Sequence, residues 1–183
     1  AVSTVVHAGA LGAAVEGGFR VGTGVHSWVL RAWGYRADQG HLILGVVDAR
    51  NANLGYFLGQ SEHSAGWMLR GSLFTRNARV VKYDDARPSA RPAAAKSSSG
   101  SGVVYGPPGR CESLPPGTGI RVTLDTDALT LRFGNADTGD DFGVAFGPAV
   151  LAPMAVAAGG ALHAGFSFEN ATVRVELRDY THR

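Results

Sequence analysis

Three runs in the second half of the chain alternate apolar and polar residues. Ile120, Val122 and Leu124 alternate with Arg121, Thr123 and Asp125. Leu129, Leu131 and Phe133 alternate with Thr130 and Arg132, and Phe142, Val144 and Phe146 with Gly143 and Ala145. A period of two places one set of side chains on each face of a strand. The connections are short and built from Asp, Thr, Ala, Gly and Asn. The pattern predicts an antiparallel meander with one buried face, half the core of a β-sandwich.

The rest of the chain reads the same way. Val2 to Val15 is small and apolar and predicts a short strand or two. Phe19 to Gly24 leads into Val25–Trp33, where Trp28, Leu30 and Ala32 share one face. Tyr35 to Gly40 is a polar turn. His41 to Asp48 is nearly all apolar, as a strand buried on both faces would be. The segments 25–33 and 41–48 are expected to form a hairpin at the sandwich centre. Arg50 to Gly55 is an asparagine-rich loop, and Gly66 to Arg70 and Ala78 to Tyr83 read as strands. Asp84 to Gly102 holds Pro88, Pro92, a triple alanine and a triple serine, with no large apolar residue; it predicts a flexible, solvated insert. Order resumes at Val103–Tyr105. After the meander, Val150 to Ala157, Leu162 to Phe168 and Thr172 to Leu177 read as further strands. No long amphipathic helix is evident, and about a dozen short strands with Gly/Pro turns define an all-β sandwich or barrel.

Composition narrows the function. The 183 residues fit one domain (1–183), and 45% apolar content supplies a core. The 26 glycines follow no fixed period, so they mark turns between short strands. A formal net charge of +2 gives no reason to expect nucleic acid or an anionic membrane as partner. One cysteine, Cys111, allows no internal disulfide, which favours a reducing, intracellular (cytoplasmic) setting. No apolar run approaches the ~20 residues a membrane-spanning helix needs. The N-terminal apolar stretch has no basic segment before it, unlike a signal peptide. The absence of an initial methionine suggests a domain of something longer, or a processed chain.

In order and spacing, several short motifs resemble the SPRY (B30.2-like) family. Gly24-Val25-His26-Ser27-Trp28-Val29-Leu30 is similar to its opening Gly-x-His-x-Trp-x-Val strand, and Leu44-Gly45-Val46-Val47 to its Val-Gly-Val-Ala strand. Gly55-Tyr56 and Gly66-Trp67-Met68-Leu69 follow in place. So do Gly119–Asp125, Leu131-Arg132-Phe133, Phe142–Phe146 and Leu151-Ala152-Pro153. The resemblance runs from about Phe19 to Phe168. It implies a bent antiparallel β-sandwich (a concanavalin A-like jelly roll) whose edge loops form a preformed pocket for a short segment of another protein. Such a module has no cofactor and no catalytic residues. The chain departs from the family at Leu129, where a hairpin glycine is usual; a leucine takes a positive φ only at a cost, so a different turn is expected. Gly159-Gly160 stand where SPRY/SOCS-box relatives have Trp-Gly, and Ser167-Phe168 where they have Arg-Tyr.

The candidate partner-binding residues follow from that likeness and from loop chemistry. They are Tyr56 first, then Arg50, Asn51 and Asn53, the loop residues Tyr35 and Arg36, and Gly159 and Gly160, which either widen a pocket or mark a turn. Trp67 and His26 read as core. The loop Asn135 to Asp141 has oxygens that suit Ca²⁺ but lacks the pattern of an EF-hand, and an Asp/Asn/Gly turn explains it. The histidines are not in metal spacing, and Cys111 has no identifiable base. Gly22-Thr23-Gly24 is no dinucleotide fingerprint. Asn170-Ala171-Thr172 is a glycosylation sequon, unused inside a cell. The expected function is a non-catalytic, monomeric adaptor or scaffold module binding a protein or peptide, with no metal. The alternative is a carbohydrate-binding, lectin-like jelly roll using Asp137, Asp140 and Asp141 as its Ca²⁺ cage. A glycosidase would need facing carboxylates, and only Asp48, Asp125 and Glu176 fall in strands.

Overall fold

The computed structural model describes residues 5–8, 12–15, 17–33, 42–69, 72–75, 78–80, 115–168 and 174–183. Two antiparallel sheets face each other. The strands are β1 (Val5–Ala8), β2 (Gly12–Val15), β3 (Phe19–Arg20), β4 (Val25–Trp33), β5 (Leu42–Val47), β6 (Ser64–Met68), β7 (Ser72–Thr75), β8 (Ala78–Val80), β9 (Gly119–Asp125), β10 (Thr130–Asn135) and β11 (Asp141–Phe146). A helix, α1 (Pro148–Ala157), precedes β12 (Ala161–Phe168) and β13 (Arg174–His182). The larger, eight-stranded sheet runs β1-β2-β12-β5-β6-β7-β8, with β3 also paired to β12. The five-stranded sheet runs β11-β10-β9-β4-β13. The insert 84–102, the strand expected at Val103–Tyr105, Tyr35, Arg36, Cys111 and the sequon at Asn170 lie outside the described residues.

The meander is present as β9-β10-β11, with Leu131 opposite Leu124 and Phe133 opposite Val122. Its apolar face joins Trp28 and Leu30 of β4 against Leu44, Val46, Trp67, Leu162 and Phe166 of the larger sheet, in one continuous core. Trp67 is fully buried and meets Phe133 at 5.3 Å and Phe142 at 5.7 Å, tilted and edge-on. Losing a residue of that size from a core costs about 3–5 kcal/mol.

Several sequence expectations are corrected. The segments 25–33 and 42–47 do not pair. β4 lies between β9 and β13, and β5 between β12 and β6. Their apolar faces meet across the sandwich, which buries them as well as a hairpin would. The strand expected at Val150–Ala157 is the helix α1. Pro148 opens it after Gly147, where a missing N–H costs nothing. It ends at Ala158 in a Schellman arrangement: Gly160 N–H bonds the carbonyl of Ala155 and Gly159 N–H that of Val156, with φ of +84° and +67°. Pro153 lacks the N–H that would reach the Ala149 carbonyl, and both residues lie on the exposed side of the helix. Leu129 does adopt a positive φ, +49°. Its side chain packs against the core, which offsets the roughly 1–2 kcal/mol cost of the left-handed conformation. The closing strand runs on to His182, past a bulge that puts Asp179 at φ +52°. β7, between the expected strands near 66–70 and 78–83, was absent from the pattern reading.

β5 is buried along its whole length, as its sequence predicts. Leu42, Leu44 and Val46 face the core, while Ile43, Gly45 and Val47 face outward. The outward face is roofed because three glycines line up across the sheet. Gly45 pairs laterally with Gly165 on one side and Gly66 on the other. A Cβ at Gly66 would stand 3.2 Å from Leu58 Cβ, and one at Gly165 would stand 3.2 Å from Leu58 Cδ2. Leu58, 2% exposed, therefore sits in a trough of bare backbone. A Cβ at Gly45 would overlap the Ala65 carbonyl and approach Gly66 Cα to 2.7 Å.

The end of β13 is held by rings. His26 is buried, stacks on His182 at 4.6 Å and lies 4.9 Å from Phe19, which in turn stacks on Trp28. Thr23 Oγ1 donates to the Arg20 carbonyl at 2.6 Å, so it accepts from His26 Nε2–H at 2.7 Å. That assigns the tautomer and leaves Nδ1 to accept from the Tyr180 hydroxyl at 2.8 Å. His182 donates to the Thr23 carbonyl. Burial, then the neighbouring His182, push the His26 pKa below its ordinary 6.5, against a smaller upward pull from Asp127.

Two outcomes follow from this packing. Gly45→Ala is expected to lower stability by about 3 kcal/mol, the upper part of the overpacking range, because rigid backbone blocks the methyl; chemical denaturation measures it. The unfolded chain binds a proton at His26 more readily than the fold does, so the stability His26 contributes is full above its unfolded pKa of 6.5. It drains away as pH falls from there through the lowered folded value. Denaturation midpoints across that window should fall, and His26→Asn should remove this part of the slope.

Candidate functional site

The chain from Asp48 to His63 forms a closed loop over the outer face of the larger sheet, and its shape is set by a few buried polar groups. Asp48 N–H donates to the His63 carbonyl at 2.8 Å, joining the loop's two ends. The Asp48 carboxylate is fully buried. It accepts from Arg50 N–H at 3.0 Å, Asn51 N–H at 3.4 Å and Asn51 Nδ2 at 2.6 Å, and His63 Nδ1 lies 3.3 Å away. An aspartate that turns its own chain in this way is the usual Asx device. Farther on, Asn53 Oδ1 accepts from Gly55 N–H, and Tyr56 N–H reaches the Asn53 carbonyl. Gln60 Oε1 accepts from Phe57 N–H at 3.2 Å. Underneath, Leu58 N–H donates to Ser167 Oγ at 3.0 Å and Gly59 N–H to Ser64 Oγ at 2.8 Å. Ser64 and Ser167 are buried, so these hydroxyls satisfy amides that water cannot reach.

The loop is tied sideways to the end of α1. Asn51 Nδ2 donates also to the Ala157 carbonyl at 3.0 Å. The Arg50 guanidinium packs so closely on Gly159 that a Cβ there would collide with it. Gly160 C=O accepts from Val21 N–H at 2.9 Å. Gly159 and Gly160 thus serve the helix cap and leave room for Arg50; the turn explains them. The structure brings together Arg50, Asn51, Gly159 and Gly160, and carries Asn53 and Tyr56 on the same loop. Tyr56 is 58% exposed, and Val156 on α1 is 80% exposed. Asn51 spends both amide hydrogens within the fold and keeps Oδ1 as an acceptor. Asn53 uses Oδ1 and keeps its donors.

Sequence reasoning missed Asp48, Ser64, Leu58 and Ser167 as the groups that position this loop. An aspartate closing an apolar strand just before Arg-Asn-Ala-Asn was the available signal for the first. The serines gave none, since a polar residue on an outward strand position is ordinary.

The loop after β10 uses its carboxylates structurally. Arg31 pairs with Asp137 and also donates to the Gly117 carbonyl, and Asp137 accepts from Gly119 N–H at 2.8 Å. The Arg31 hydrogen bond, then that of Gly119, hold the Asp137 carboxyl below its ordinary pKa, and the same pairing raises that of Arg31. Asp140 accepts from Thr138 Oγ1 at 2.6 Å; Asp141 accepts from Gly143 N–H and lies 3.4 Å from Arg132. Among the described residues no group of three or more His, Cys, Asp or Glu side chains converges as a metal site. Nor do the strand carboxylates pair for hydrolysis. Asp125 lies opposite Val25 and Glu176 opposite Arg31, six residues apart on β4 or about 20 Å at the strand rise, while Asp48 belongs to the other sheet. Glycosidase carboxylates stand about 5–10 Å apart. Among the described residues no helix is long and apolar enough to cross a membrane.

No protein-family model matches the chain, and no curated protein does. Solved structures do match in fold. The SPRY domain of human HERC1 aligns with 97% of this chain and 86% of its own length at 15% identity, with a TM-score of 0.54. Stonustoxin aligns with 93% of this chain and 20% of its own, at 13% identity and a TM-score of 0.48. The carbohydrate recognition domain of Emp46p aligns with 94% and 80%, at 12% identity and a TM-score of 0.40. The two-sheet antiparallel architecture is therefore SPRY-like in its fold.

The Asp48 carboxylate is the keystone of the loop. Asp48→Ala is expected to cost at least about 2 kcal/mol, as the loss of buried hydrogen bonds to a charged acceptor. It should also accelerate hydrogen exchange at the amides of Arg50, Asn51 and Ala52 more than at those of β9. Denaturation and exchange mass spectrometry read the two effects.

Proposed function

We propose that this chain is a single-domain, non-catalytic interaction module that binds a segment of a partner protein through the loop 48–63 and the adjoining end of α1. The observation that carries this reading is Tyr56: a large aromatic side chain, 58% exposed, on a loop fixed from beneath. Such a side chain offers much contact area for little loss of freedom on binding. Tyrosine and arginine are also the residues in which binding energy concentrates. Arg50 adds a guanidinium, and Asn51 and Asn53 offer one acceptor and one set of donors, the pair of functions that an extended peptide backbone needs. Tyr35 and Arg36 belong to the proposed surface as residues of a polar loop, on their chemistry alone. The likeness in fold to the SPRY domain of human HERC1 supports the module reading. We take the setting to be intracellular, on the strength of the single cysteine, and the domain to act as a monomer.

The lectin alternative has weaker support. The carboxylates it needs are engaged by Arg31, Thr138 and the Gly143 amide, and a Ca²⁺ cage would have to break those bonds.

A peptide-array screen of the purified chain tests the proposal, repeated with Tyr56→Ala and with EDTA. Binding to a short linear motif is expected, insensitive to EDTA and weakened at least about thirtyfold by Tyr56→Ala, as for an interface hot spot. Glycan binding that EDTA removes, with no peptide bound, would overturn it in favour of the lectin.

A further inference from the structure

The outer face of the five-stranded sheet mixes small apolar residues with hydroxyls, guanidiniums and one carboxylate, Asp179, and carries no covering layer among the described residues. It forms a groove of about 480 Å³ across β13, β4 and β9. Pairing sets its rows. Thr181, Ser27 and Thr123 lie side by side, and the next row is Arg178, Val29, Arg121 and Gly134. Lateral neighbours in a sheet normally pair opposite charges. Here Arg121 sits between a valine and a glycine, with another cation beyond. Arg178 is bound by Glu176, and Arg31 by Asp137, with the charge of Asp179 also acting on Arg31. Arg121 and Arg183 also line the groove and form no ion pair among the described residues; the one carboxylate in the lining, Asp179, acts on Arg31, so the groove keeps an excess of positive charge.

We propose that this groove is a second docking surface, distinct from the loop around Tyr56, and that it takes an extended acidic segment of a partner protein. Charge complementarity selects the sign of the occupant, and spacing selects its form. Arg121 lies opposite Val29, while Arg183 exchanges backbone hydrogen bonds with Val25. The two positions are four residues apart along β4, about 13 Å at the strand rise, and on opposite sides of it. A single small anion cannot span that distance. An extended chain with several acidic side chains reaches both guanidiniums, and its backbone carbonyls meet the hydroxyls of Thr123 and Thr181 between them, that of Ser27 being spent on the Val122 carbonyl.

Fluorescence anisotropy of a labelled oligo-glutamate peptide, titrated with the full chain, tests this. Binding should occur, weaken as salt rises, fall about tenfold in Arg121→Gln and return in large part in Arg121→Lys. The Arg121 side chain is exposed, so thermal unfolding of Arg121→Gln should match the wild type. Tyr56→Ala should bind the oligo-glutamate as the wild type does, which separates this surface from the proposed peptide site. The proposal is overturned if the wild-type chain does not bind the peptide, or if Arg121→Gln binds it equally. It is also overturned if inorganic phosphate displaces the peptide at a matched concentration of charge, since that marks a small-anion site.

Discussion

The architecture depends on how the larger sheet is buried on its outward side. A strand such as β5, apolar on both faces, needs cover on both. The smaller sheet covers one. The other is covered by a loop, and a loop has little apolar surface to offer. The solution is to lower the floor. Gly165, Gly45 and Gly66 form a row of bare backbone, and the one apolar side chain that the loop lays down there, Leu58, is almost completely buried in it. The approach brings the Leu58 and Gly59 amides to the sheet as well, where they would be unsatisfied without Ser167 and Ser64. Glycine row, leucine and serines act as one device, and the rigidity of the loop follows from it.

The position of the candidate binding surface is a consequence. Because the middle of the loop is pinned, its two limbs are short and individually braced. The first turns on the buried Asp48 carboxylate and is tied by Asn51 to the last turn of α1. The second carries Tyr56 between the Asn53 turn and the Leu58 anchor. Arg50 is placed by what is missing at Gly159. Each limb is held by hydrogen bonds made within the chain itself.

Much of the fold was legible in the sequence because period-two alternation is local. It identified β4, β9 and β10 with their apolar faces, while β5 was marked by its unbroken apolar run. In β11 the expected face of Phe142, Val144 and Phe146 is broken by the irregular pairing with β10: Val144 stands opposite Arg132, and Ala145 joins Phe142 and Phe146 in the core. Three features were illegible for separate reasons. α1 is apolar on every side, so no helical period distinguishes it from a buried strand; only Pro148 and Gly159-Gly160 at its ends signalled a helix. The partners of β4 and β5 were ambiguous, because two adjacent apolar strands bury their faces equally well in a hairpin or across a sandwich. Leu129 was misjudged because the cost of its backbone conformation is visible locally, whereas its compensation comes from core residues remote in sequence. The candidate site divides along the same line. Arg50, Asn51 and Asn53 announced a polar turn, and Tyr56 stood out through its resemblance to a family position. The glycine row was invisible, since residues 45, 66 and 165 become neighbours only when β5 pairs with both β6 and β12.

The two sheets finally differ in what they leave for water. On the larger sheet, donors and acceptors near the outward face are consumed in holding the loop, and what reaches the surface is a tyrosine, an arginine and two half-used amides. On the smaller sheet the outward side chains are engaged only locally, Ser27 on the Val122 carbonyl and Arg31 on Asp137, and hold no covering loop among the described residues. Rows of hydroxyls and guanidiniums stand on a regularly spaced lattice; most of its carboxylates are spent at the margins, Asp137 on Arg31, Asp141 beside Arg132 and Glu176 on Arg178, and Asp179 alone lines the groove. Self-pairing of charges along the rim leaves Arg121 and Arg183 against the single carboxylate of Asp179 in the groove itself. One sandwich thereby presents two surfaces of different chemistry, an aromatic, peptide-like one on a braced loop and a cationic one on open strands.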